Sequence, residues 1–145
     1  MSSHDSHIYT LHERPKLVES TSSHGPNFVS LIITVPRVSA PLVCHCRTCG
    51  RSGGGSSINY VLPEADVTFK DPHSSLKAYE DTNTVSGNRI QRKFCSNCGS
   101  PVLTGGPSLI VKASLFDVIS RLDIEVFTDQ RQEWEGPAEG AKQAY

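Results

Sequence analysis

The sequence predicts a mainly-β fold, a single small domain with few or no long helices. Three observations carry this. The apolar residues are β-branched and come in short runs, with no heptads and no long amphipathic stretch. Eleven glycines and nine prolines punctuate 145 residues and close most of those runs with a turn signal. The chain is 37% hydrophobic and 20% charged, a balance that suits one core and argues against disorder.

The elements follow in chain order. Residues 1–20 are polar and read as a loosely ordered N-terminal segment, ahead of a domain over 21–134 and a surface tail over 135–145. Phe28 to Val35, between Gly25-Pro26 and Pro36, reads as a buried strand. Pro36 and Pro41 bracket a turn that leads into a cysteine cluster. Ile58 to Leu62 is a strand stopped by Pro63, and Val67 to Phe69 one stopped by Asp71-Pro72. Leu76 to Tyr79 is another, and Ser86-Gly87-Asn88 turns the chain into Arg89 to Phe94. Leu109 to Val111 and Leu122 to Phe127 complete the strands. Ser114, with Asp117 three residues on, predicts a capped helical turn or two over Ser114 to Ser120. Trp134 is expected to cover the core.

Charge and apolar patterning narrow the partners. A net charge of −1 argues against nucleic acid, which needs a basic face. The N-terminus has no apolar signal region, and the longest apolar-rich run, FVSLIITV, falls far short of the ~20 residues that span a bilayer. A cytoplasmic protein with a small-molecule substrate and no membrane partner is expected. The edge strands of a small β domain would also allow a homodimer.

In a reducing compartment the five cysteines read as metal ligands or nucleophiles, and an odd number cannot close into disulfides within one chain. Cys44, Cys46 and Cys49 form C-x-C-x2-C, and Cys95 and Cys98 form a C-x2-C knuckle followed by Gly99, which a positive φ would suit. Two divisions make chemical sense. Cys46, Cys49, Cys95 and Cys98 close one zinc ribbon and leave Cys44 over; or Cys44, Cys46 and Cys49 hold a zinc with an open fourth position, and Cys95 and Cys98 help to hold a second. Three protein ligands plus an exchangeable one mark a catalytic zinc. Spacing alone leaves both open.

Other groups are less decisive. Arg47 and Arg51 flank the cluster and suit a ligand carboxylate, or are ordinary surface arginines. Arg92 and Lys93 would offset thiolate charge. Gly53-Gly54-Gly55 reads as a flexible loop, since it lacks the Lys-Ser/Thr ending of a phosphate loop. His45 lies between two ligands, and alternation aims it away from the metal, as a surface histidine more readily than a proton carrier. Carboxylates, among them Asp81, Asp123 and Glu125, are scattered, and none stands out as part of an acid–base pair.

The stretch CHCRTCGRSGG, then RKFCSNCGSPV about 40 residues later, then LFD and a late Trp, resembles the glutathione-dependent formaldehyde-activating enzyme family, which includes the centromere protein V domain. The resemblance runs from about Ser22 to Trp134. It implies a mainly-β zinc domain, a catalytic zinc on Cys44, Cys46 and Cys49, and a structural zinc helped by Cys95 and Cys98. The family completes that second site with an N-terminal C-x-C-G, where this chain reads Ser22-Ser23-His24-Gly25; His24 is the one chemically sound substitute ligand. The activity implied is condensation of glutathione with formaldehyde, and in reverse a carbon–sulfur lyase. Two alternatives stand beside it: a diverged zinc enzyme that dehydrates or cyclises a larger metabolite, and a non-catalytic zinc-stabilised interaction module.

Overall fold

The computed structural model describes residues 6–12, 29–36, 40–116 and 119–145. Eleven strands are described there, in two sheets. The smaller has the order β1-β2-β5, from β1 (Ser6–His12), β2 (Val29–Pro36) and β5 (Thr68–Lys70). The larger has eight strands. Its central part comprises β3 (Leu42–Cys44), β4 (Ser57–Leu62), β8 (Pro101–Gly105) and β9 (Leu109–Lys112), with β6 (Leu76–Asp81) and β7 (Ile90–Cys95) on one side. On the other side lie β10 (Ile124–Val126) and β11 (Lys142–Gln143), which gives the order β11-β10-β3-β4-β9-β8-β7-β6. The helix α1 (Arg47–Gly53) is two turns long.

Alternation divides the large sheet into two unlike faces. On one face Tyr60 and Leu62 of β4, Leu103 of β8 and Leu109 and Val111 of β9 pack into a single core with Ile33 and Val35 of the small sheet. Tyr60 and Phe116 meet there edge to face, with ring centroids 5.8 Å apart. Each such side chain contributes roughly 1.5–3 kcal/mol on burial. On the other face the register aligns Leu42, Asn59 and Lys112 across β3, β4 and β9, and Val61 with Ile110 and Thr104. That face lines a cavity.

The predicted strands are found within a residue or two of their expected bounds. The differences have local causes. The segment expected to be loose contains β1, whose register with β2 runs from Ser6↔Pro36 to His12↔Val29. The expected surface tail contains β11, which lies parallel to β10, with the amides of Lys142 and Ala144 bonded to the carbonyls of Asp123 and Glu125. The helical turns expected over Ser114 to Ser120 reduce, in the described residues, to one 3-10 turn at Ala113–Leu115, with no side-chain cap. Trp134 does not cover the core; it is 79% exposed.

Candidate metal centre

The C-x-C-x2-C cluster spans a strand end and a helix start. Cys44 ends β3, Cys46 is the N-cap residue of α1, and Cys49 lies one turn into it. Within that turn the amide of Gly50 donates to the carbonyl of Cys46 at 2.9 Å, and this turn brings the sulfur of Cys49 back over that of Cys46. A Cβ on Gly50 would lie 2.9 Å from the carbonyl oxygen of Gly55, so the helix and the loop after it close only around a glycine. Residues expected to form a flexible loop are thus folded: Gly53 ends α1, and Gly54 caps it in the left-handed region.

The three sulfurs lie within 4.8 Å of one another. A tetrahedral zinc with Zn–S bonds near 2.3 Å separates its sulfurs by roughly 3.8 Å, so the set fits such an ion with small adjustments. The electrostatics agree. Hydrogen bonds from Cys44 and then from Cys49 draw the Cys46 thiol down to about 2. The Cys44 thiol is pushed up, first by its bond to Cys46. For Cys49 the bond with Cys44 pulls down, while the bond with Cys46, burial and the Cys46 charge together push up and prevail. Three sulfurs this close together form a soft donor set suited to a zinc-like cation. Among the described residues Cys46 and Cys49 group with Cys44 and not with Cys95 and Cys98, unlike the closed ribbon that leaves Cys44 over.

The cluster borders a cavity of about 430 Å³. Its walls are mostly apolar, from Leu42, Val61, Ile110, Val126 and Phe127 among others. Two cations reach it. The Arg92 guanidinium donates to Asp81 at 2.7 Å and holds that carboxyl below its usual range. Lys112 is only 6% exposed, and its ammonium donates to Ser57 Oγ at 2.6 Å and to Asn59 Oδ1 at 3.2 Å. Burial pushes Lys112 below the usual lysine value, and the Cys49 sulfur opposes that.

The remaining site residues fall elsewhere. Arg47 and Arg51 are exposed on α1 and line a separate polar hollow with His45, Gln130 and Gln132, away from the cysteine cavity. Cys95 is 0% exposed, inside the core, while Cys98 is exposed in the following turn and bonds to Ser100 Oγ at 3.2 Å. Gly99 has the expected positive φ, +72°, and its amide closes the turn onto the Cys95 carbonyl at 2.7 Å. Among the described residues no group of three metal donors includes Cys95 or Cys98. His24 lies outside the described residues.

His45 is not a surface residue. It is 5% exposed, and its Nε2 donates to Glu125 Oε1 at 2.9 Å. Its Nδ1 is 3.5 Å from Glu135 Oε2, too long for a good hydrogen bond, and has no other partner among the described residues. Glu125, read from sequence as one scattered carboxylate, also accepts from Gln143 at 2.6 Å and from the amide of Ala138 at 2.7 Å. Burial would raise its pKa, but the bonds from Gln143, His45 and Ala138, with the charge of Arg131, hold it at about 2. The amide of His45 bonds to the carbonyl of Val126, and that of Arg47 to Gln130 Oε1. The cysteine loop is therefore tied at three points to the C-terminal segment. One signal for Glu125 was available: a lone acid between Ile124 and Val126 in an apolar strand is usually buried and paired.

This is a β domain whose sheet carries a three-thiol cluster, able to hold a metal ion, beside an apolar cavity. The family model for the glutathione-dependent formaldehyde-activating enzyme matches residues 27–130. The chain belongs to that family, which is one of enzymes, as the sequence resemblance indicated. A crystal structure of a Rhodobacter sphaeroides protein aligns with 80% of this chain and 93% of its own, at 16% identity and a TM-score of 0.49. No curated protein matches the sequence. Among the described residues no helix is long and apolar enough to cross a membrane.

Proposed function

We propose that the protein is a zinc-dependent enzyme that makes or breaks a carbon–sulfur bond between a thiol, glutathione first, and a carbonyl compound. The observation that supports this most is the set of three sulfurs within 4.8 Å on the wall of the cavity. Cys44, Cys46 and Cys49 would hold the ion, which when bound supplies a positive centre that favours a deprotonated thiol nearby. The chain's own groups do the rest. Glu125, through His45, holds the ligand loop against β10. The apolar walls exclude water from the reacting carbon. In the forward direction sulfur bonds to the carbonyl carbon, the π pair moves to oxygen, and the thiol proton ends on that oxygen. The product is a thiohemiacetal, and the reverse releases both partners. No redox partner is needed.

A second reading rests on the size and apolar lining of the cavity: a zinc enzyme that dehydrates or cyclises a larger metabolite without a thiol. One experiment separates the two. Zinc-loaded protein is assayed with aldehyde, with and without glutathione, before and after stripping with a chelator. Glutathione-dependent turnover that disappears with the metal supports the first reading. Turnover that needs zinc but ignores glutathione moves the function to the second. Full turnover in protein shown by elemental analysis to be metal-free excludes both.

A further inference from the structure

The cavity is far larger than a one-carbon aldehyde needs. Formaldehyde is little bigger than a water molecule, whose share of liquid volume is ~30 Å³, while the cavity holds about 430 Å³, within the range of sites that bury organic ligands. Its apolar walls also suit the thiol end of a tripeptide better than its charged ends. Glutathione carries two carboxylates and an ammonium, yet Arg92 is already committed to Asp81. Arg47 and Arg51, the obvious carboxylate partners, line another hollow. Lys112 is then the one cation on the cavity wall without a carboxylate partner among the described residues.

Lys112 itself is incomplete. An ammonium has three N–H donors. Two are taken by Ser57 and Asn59, and no third acceptor appears among the described residues. The group is buried, so an unmet donor is costly, and an oxygen brought in by a ligand would relieve it. Lys112 lines the same cavity as the three cysteines. On the cavity face this ammonium stands among the apolar side chains of Val61, Ile110 and Phe127.

We propose that this cavity takes a carbonyl compound with a ring-sized apolar body, its oxygen received by the Lys112 ammonium and its carbonyl carbon turned towards the three sulfurs. The orientation towards the sulfurs rests on the reading of the cluster given above; the apolar body and the Lys112 contact do not. Lys112 is thereby a substrate-binding residue that fixes which end of the molecule meets the metal centre.

The test uses zinc-loaded full-length protein and three unreactive probes: acetophenone, acetone, and ethylbenzene, which keeps the ring and lacks the oxygen. Calorimetric titration should give acetophenone at least ten-fold tighter than either of the other two. Lys112→Met should remove most of the advantage of acetophenone over ethylbenzene and leave ethylbenzene unchanged. Ser57 Oγ still donates to Asn59 Oδ1 at 2.9 Å, so the variant leaves no orphaned pair. If that variant does not fold, the comparison of the three probes in the unaltered protein still decides. Equal affinity for acetophenone and acetone overturns the apolar body, and equal affinity for acetophenone and ethylbenzene overturns the Lys112 contact. Turnover of benzaldehyde with glutathione separates the two ideas. Acetophenone binding without thiol-dependent turnover removes the carbon–sulfur reading alone. Glutathione-dependent turnover with formaldehyde favoured over benzaldehyde removes this inference alone.

Discussion

The two cysteine motifs share the C-x2-C spacing and have opposite fates. In the first, the two residues between Cys46 and Cys49 are the opening of a helix, and the strand before it delivers Cys44 to the same point. In the second, the same spacing is a turn at the end of β7, and its cysteines part: Cys95 goes into the core and Cys98 out to solvent. Spacing makes two thiols neighbours. What the flanking backbone does decides whether a third thiol joins them, as Cys44 does in the first motif. The first motif also has a clamp, since His45, between two of its cysteines, is gripped by Glu125 from 80 residues away.

The sharpest break in that comparison comes from Cys49→Ala against Cys98→Ala. The first should empty the cluster of metal and cut turnover at least 100-fold, read by elemental analysis and rate on the same sample; the second should leave both within about two-fold. Next in size is the clamp. Glu125→Gln leaves His45 and Arg131 facing a neutral amide and should cost about 2–4 kcal/mol in denaturant unfolding. It should also weaken zinc roughly ten-fold in chelator competition, as the loop loses its anchor. The clamp has a pH signature. The Glu125 carboxyl is depressed on folding, so its stabilisation is complete above its unfolded value, near 4.5, and is lost as pH falls through about 2. Unfolding curves of the parent should weaken across that window, and those of Glu125→Gln should change less. The smallest effect sharpens the second motif. Cys95→Ser buries a hydroxyl in the core and should cost about 1–3 kcal/mol, whereas Cys98→Ser should stay within about 0.5 kcal/mol. Equal, large losses from both would point to a metal shared between them.

Much of the β framework was legible because it is written in short apolar runs closed by Pro, Gly and Asn, as from Ile58 to Leu62 and at Leu109 to Val111. The three-cysteine set was legible as one of two divisions. The supporting shell was not. Lys112 follows the last apolar residue of its strand, and the strand appeared to end there; only the register opposite Asn59 shows that it shares the cavity face with Ile110. His45 and Glu125 are far apart in the chain, and no local pattern joins them. α1 escaped notice for another reason. With two glycines among its seven residues it has poor helix propensity, and its first turn is held from outside, by Gln130 on the amide of Arg47.

The parallel pairing of β10 with β3 has a consequence for how the protein is made. Cys44, Cys46 and Cys49 leave the ribosome long before Ile124 to Val126, the residues that pair with Leu42 to Cys44 on their far side. Until then β3 is an open edge, and the carbonyl of Val126 that receives the amide of His45 does not exist. A nascent chain that holds all three thiols therefore has a donor set without its floor. Metal captured at that stage would be held by a loose loop exposed to competing thiols and chelators. A chain halted before Ile124 would carry all three cysteines of the cluster and still lack the strand that flanks them.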